Sequence, residues 1–166
     1  MMQIPNVNNT WSCMPAAFSM ALNIPLEVMF EKLGHDGSEF VYKDKSQHRG
    51  FHRQECIDVA WSMGFACTHI DRYPAMTYSF AANDIFPVIF GKTEQCNLAR
   101  LLRYIKECKL AVIEGLGINS AKQTTMGHAC AWDGQHIFDP RHKTYYLDDC
   151  WLHNFDPTGV IVLTEV

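Results

Sequence analysis

The sequence predicts an α+β fold in a single domain, on three observations. Helical periods fill the first part of the chain, while apolar runs separated by turn residues fill its last third. At 166 residues the chain suits one domain with one sizeable core. No repeat, low-complexity segment or linker divides residues 1–166.

Residues 1–11, rich in Asn and holding Pro5, lack a helical period and read as an extended lead-in. Ser12 is placed as the N-cap of a helix over 13–22, CMPAAFSMAL. Pro15 falls in its first turn, where a missing N–H costs nothing, and its apolar residues run nearly all round, as in a central buried helix. A second helix starts near Pro25 and stops at Gly34. Residues 35–50 are polar and loop-like. From Phe51, the segment FHRQECIDVAWSMG sets Cys56, Val59, Ala60 and Met63 on one face and stops at Gly64, which predicts a third helix. The strand FACTHI follows. Residues 72–92 are aromatic-rich and broken by Pro, with FPVIFG as a short strand, and NLARLLRYIKECK (97–109) is the clearest amphipathic helix. LAVIEG, HACAWD, QHIFDP, TYYL and GVIVLTEV then read as strands of an antiparallel sheet.

Fourteen basic against 18 acidic side chains give a net charge of −4, and there is no Lys/Arg run. Nucleic acid and anionic membrane surfaces are therefore excluded as main partners. The N-terminus has neither the basic nor the apolar region of a secretory signal, and no stretch reaches the length of a membrane span. A cytoplasmic, reducing compartment is the expectation. The seven cysteines (13, 56, 67, 96, 108, 130 and 150) include no C-x-x-C pair, which argues against a disulfide framework. Each is then a small hydrophobe, a metal ligand or a nucleophile.

No metal or cofactor is expected. His48, His52 and Cys56 recur at four-residue spacing, but Gly50 breaks the first interval and no second cluster completes a tetrahedral set. Cys150 and His153 stand three apart without a supporting cap or hairpin. Cys130 shares a strand face with His128 and reads as packing, and Trp132 on that face covers the sheet interior.

The chemistry concentrates in GHACAWDGQHIFDP (127–140). Asp133-Gly134 between two apolar runs predicts a two-residue type I′ hairpin. That turn sets His128 directly opposite Asp139, at a Cβ separation of about 5 Å, so that the carboxylate holds the ring's tautomer. Gly127 and Pro140 would end the ladder and leave both side chains at an exposed sheet end. Such a pair also has a purely structural reading. Cys13 alters the balance, because it follows an N-cap at a helix start, where free N–H groups and the helix dipole favour a thiolate. Thiolate, imidazole and carboxylate together make a nucleophilic system.

NTWSCMPAAFSMAL followed by GHACAWDGQHIFDP resembles the papain-like cysteine peptidase superfamily. The likeness is nearest to small bacterial and phage proteins akin to the peptidase domains that process bacteriocin leaders. These share W-x-C-x-x-A at a helix start and G-H-A-x-A-W-D-G…I-x-D-P near the C-terminus, and the likeness runs from Pro5 to Pro140. It implies Cys13 as nucleophile, His128 as general base and acid, and Asp139 as the orienting residue. It also implies a nucleophile helix packed on the antiparallel sheet that carries the His. One position departs: such peptidases place a Gln about six residues before the Cys, and here Val7 stands there. Asn6, Asn8 or the backbone N–H of Cys13 are the substitutes for the oxyanion donor.

The expected activity is cleavage of a peptide or amide bond in a protein or peptide substrate, through a thioester on Cys13. Acyl transfer to an amine on the same triad is the second reading, and a catalytically silent binding protein is the third. Residues 35–50, 72–95 and 115–127 are expected to wall the cleft.

Overall fold

Alternation along the C-terminal apolar runs builds a sheet whose central strands are buried on both faces. The computed structural model describes residues 2–72, 94–118 and 124–166. Its strands are β1 (Phe65–Asp71), β2 (Ala111–Ile118), β3 (Thr124–Trp132), β4 (Ile137–Asp139), β5 (Lys143–Tyr145) and β6 (Phe155–Glu165). They lie in the order β1-β6-β2-β3-β4-β5, and every neighbouring pair is antiparallel. The helices are α1 (Cys13–Ala21), α2 (Leu26–Leu33), α3 (Arg53–Ser62), α4 (Glu94–Glu107) and the short α5 (Asp149–Leu152). The fold is thus mixed α+β.

Successive strand residues point to opposite faces, and the two faces hold two cores. Val112, Ala129, Ile161 and Leu163 pack against Ala16, Ala17, Met29, Cys56 and Ala60 of α1, α2 and α3. Ala111, Ile113, Cys130, Trp132 and Val160 pack on the other side against Leu101 and Ile105 of α4 and Trp151 of α5. Helix α1, apolar nearly all round, lies on β3, and seven of its nine residues are buried.

Most element ends match the sequence pattern, and those that differ have local causes. Helix α2 stops at Gly34, whose φ of 77° is the left-handed conformation that ends helices. Helix α3 starts at Arg53 because His52 caps it: the ring Nδ1 accepts from the Gln54 N–H at 3.2 Å, and Glu55 accepts from the His52 N–H at 2.8 Å. Ser12 holds the N-cap position of α1, but its side chain makes no cap. Its φ/ψ of −98°/11° is not the extended geometry that lets a capping oxygen reach inward. Asn9 Oδ1 instead accepts from the N–H groups of Trp11 (3.1 Å) and Ser12 (2.9 Å). The segment 115–127, expected to be a loop, is largely strand, since β2 runs through Ile118 and β3 begins at Thr124. Helix α5 carries no periodic signal at four residues and was not expected. The expected strand FPVIFG lies outside the described residues. Among those residues no single helix is long and apolar enough to cross a membrane.

Candidate active site

The site grows from the turn after β3. Asp133 folds back on itself: its Oδ1 accepts from the N–H groups of Gln135 (2.9 Å) and His136 (2.6 Å), and its own N–H donates to the His136 carbonyl at 3.2 Å. Gly134 has a φ of 93°, but Asp133 does not take the positive φ that a type I′ turn needs. The loop therefore holds four residues instead of two, because the Asp133 carboxylate satisfies two backbone donors within it. Ala131 faces Phe138 and Trp132 faces Ile137, which moves the pairing two residues from the expected register. An even shift keeps every side chain on its face. His128 and Asp139 consequently still meet, on a diagonal, with Nε2 2.8 Å from Oδ1.

Both residues are buried, at 6% and 8% exposure, and not at the exposed sheet end expected. Strand β3 continues past Gly127 in its ladder with β2, where Gly115 pairs with His128. Phe155 then lies edge-on to the His128 ring at 6.0 Å. Burial disfavours a charged ring, yet the hydrogen bond to Asp139 and the contribution of the Cys13 thiol outweigh it and raise the His128 pKa to about 9. Burial also works against the Asp139 carboxylate. The hydrogen bonds from His128 and from the Arg141 N–H (2.8 Å) prevail and hold its pKa below the ordinary value.

Cys13 opens α1 on the opposite side of the sheet and reaches its end beside Gly127, with Sγ 3.8 Å from the Gly127 carbonyl. Gly127 lines the same cleft as Cys13 and His128, and a Cβ on it would meet nothing within 4 Å, so any side chain there would stand in the cleft. Nε2 of His128 is committed to Asp139, which leaves Nδ1 as the nitrogen for the thiol. The three residues singled out in the sequence thus come together.

The cleft has a volume of about 650 Å³. Residues 46–51 form one wall, as expected of part of the 35–50 segment. His48 stacks between Trp11 (centroids 3.9 Å) and Phe40 (4.3 Å), and the Trp11 indole N–H donates to the Asp36 carbonyl at 3.2 Å. The floor carries charge. Glu114 on β2 and His69 on β1 meet across Gly159 of β6 (His69 Nε2 to Glu114 Oε2, 2.8 Å), and the Arg53 Nε lies 3.3 Å from Glu114 Oε1. The expectations from sequence do not include this cluster; its signal was that His69, Asp71 and Glu114 occupy one strand face in a register known only from the fold.

Asn6 and Asn8 are both exposed and neither lines the cleft; Asn6 lines a separate cavity beside α1 and α2. Val7 packs against the core. The first turn of α1 offers the backbone N–H groups of Cys13 and Met14, which an α-helix leaves without intrahelical partners. His48, His52 and Cys56 separate into a wall, a cap and a core residue. His153 is exposed, and the Cys150 side chain lies outside the described residues. No protein-family model matches the chain, and no curated protein matches its sequence.

Proposed function

We propose that the chain is a papain-like cysteine peptidase or amidase. The carrying observation is the arrangement of the half-exposed Cys13 thiol beside a buried imidazole whose far nitrogen is held by Asp139 at 2.8 Å. A ring with a pKa of about 9 retains a proton at neutral pH, so it can act as the acid that cysteine chemistry requires. The proton of the Cys13 S–H bond is held on the His128 ring, so the sulfur attacks the substrate carbonyl carbon as a thiolate, forming a C–S bond and an oxyanion. The backbone N–H groups at the start of α1 face that developing charge. His128 protonates the departing amine, the C–N bond breaks and a thioester remains. Water, deprotonated by His128, then attacks the thioester carbon; the C–S bond breaks and the acid is released. Cytoplasmic placement belongs to the same proposal, since a working thiol has to stay reduced.

The test is incubation of the protein with a diverse peptide pool, read by mass spectrometry, beside Cys13→Ala and His128→Ala. Cleavage that disappears in both variants is expected. Added amines that appear in the products would shift the reading to acyl transfer. Native protein that cleaves no faster than Cys13→Ala would overturn the proposal and leave the binding role.

A further inference from the structure

One nucleophilic group near the site has no part in the chemistry above. Cys130 lies two residues beyond His128 on the same face of β3, fully buried. Its Sγ, a His128 ring nitrogen and an Asp139 carboxylate oxygen all lie within 4.8 Å of one another. These are one thiol, one imidazole and one carboxylate, a donor set suited to zinc-type cations. The Asp139 carboxylate is open to a further bond: Oδ1 takes the hydrogen bonds from His128 and from the Arg141 N–H, and among the described residues nothing bonds to Oδ2. Of the three, His128 lines the cleft, while Cys130 and Asp139 lie behind it.

We propose that His128, Cys130 and Asp139 form a binding site for a thiophilic divalent cation of the zinc type, and that its occupancy silences the dyad. The silencing rests on the peptidase reading; the binding does not. The cation bonds to Nε2, Sγ and the carboxylate, the Nε2–H and S–H bonds break, and two protons leave to solvent without change of oxidation state. Burial, with the Asp139 and Cys13 charges beside it, raises the Cys130 thiol well above its ordinary pKa and outweighs Arg141, so the sulfur stays protonated until a metal displaces the proton. Binding is therefore weakened by acid. The cation takes Nε2 in place of the proton that joins His128 to Asp139, so the ring keeps one N–H at Nδ1 and can no longer form the imidazolium that protonates the leaving amine.

Cobalt(II) titration of Cys13→Ala tests this without any turnover, so its outcome is independent of the peptidase proposal. One equivalent should bind with a thiolate-to-cobalt charge-transfer band. Cys13→Ala/Cys130→Ser should lose the band and bind at least tenfold more weakly. Cys13→Ala/Asp139→Asn should weaken binding by a similar factor, and it decides the matter if the Cys130 variant does not fold. Retention of band and affinity in the double variants overturns the proposal. So does the absence of one-to-one binding in Cys13→Ala, including the case in which the native protein binds through Cys13.

Discussion

His128 Nε2 and Asp139 Oδ1 are 2.8 Å apart although the two residues do not stand opposite each other in the β3–β4 ladder. A directly opposed pair would place the two side chains side by side. The diagonal brings Nε2 to the carboxylate and leaves Nδ1 free for the Cys13 thiol. Orientation of the imidazole therefore depends on the four-residue turn at Asp133 as much as on Asp139 itself.

Asp139→Asn is expected to slow alkylation of Cys13 by iodoacetamide at neutral pH by about ten- to a hundredfold, the usual effect of removing a carboxylate that holds a functional imidazole. The fold should survive with a loss of about 1–3 kcal/mol, because the buried ring loses a charge-assisted partner. Labelling followed by mass spectrometry, with circular dichroism as a control, reads both. An unchanged rate would show that Asp139 does not govern the ring.

Stability should depend on pH through the same pair. The folded-state pKa of His128 is raised from 6.5 to about 9, so its contribution is complete below 6.5 and is lost as pH climbs through 9. Asp139 is shifted the other way: its contribution is present above the unfolded value of 3.8 and is lost as pH falls through its lower folded value. Urea unfolding of native protein and Asp139→Asn should differ most between pH 3.8 and 6.5, where both contributions are complete, and converge as pH climbs from there through 9. A difference that stays constant from neutral pH to beyond 9 would exclude this linkage.

The site was legible where it depends on parity and illegible where it depends on register. His128 and Asp139 share a face under any even register, so sequence alone paired them, although it misjudged the turn. Whether Asp133 would spend its carboxylate inside the loop was a choice between two competing turns that the dipeptide does not settle. Cys13 was legible because Pro15 and the apolar run after it mark a helix start. Ser12 as a working cap was not, because the Asn9 carboxamide competes for the same N–H groups. The pairing of Glu114 with His69 spans 45 residues and needs Gly159 between them, which no local pattern reveals.

Burial separates the thiols enough to rank them. Desolvation raises Cys56, Cys67, Cys108 and Cys130, with Cys56 and Cys130 fully enclosed. Since the thiolate is the reactive form, Cys13 should be labelled first, Cys67 and Cys108 later, and Cys56 and Cys130 only on unfolding. His128→Ala should slow Cys13 and leave the order of the others unchanged. Equal labelling of Cys13 and Cys67 would contradict an activated thiol.

Two glycines flank the dyad and should fail differently when given a methyl group. Gly115 pairs with His128 in the β2–β3 register, beside the irregularity between Glu114 and Gly115 in the β2–β6 ladder. A Cβ there would strike the Asp156 carbonyl and lie 2.7 Å from the Phe155 ring. Phe155 is also stacked on Trp151 at 5.0 Å and edge-on to His128, so it has no room to retreat without moving the ring it covers. Gly115→Ala should therefore cost about 1–3 kcal/mol in urea unfolding, as overpacked cores do, and should slow Cys13 alkylation as well. Gly127→Ala meets nothing within 4 Å and should change stability by less than about 1 kcal/mol. Its methyl group would nonetheless stand in the cleft that Cys13 lines, so a bulky maleimide should react with Cys13 more slowly than in the native protein, while small iodoacetamide is little affected. Native stability in Gly115→Ala would mean that β6 can shift freely at Phe155 and that the aromatic cover does not fix His128.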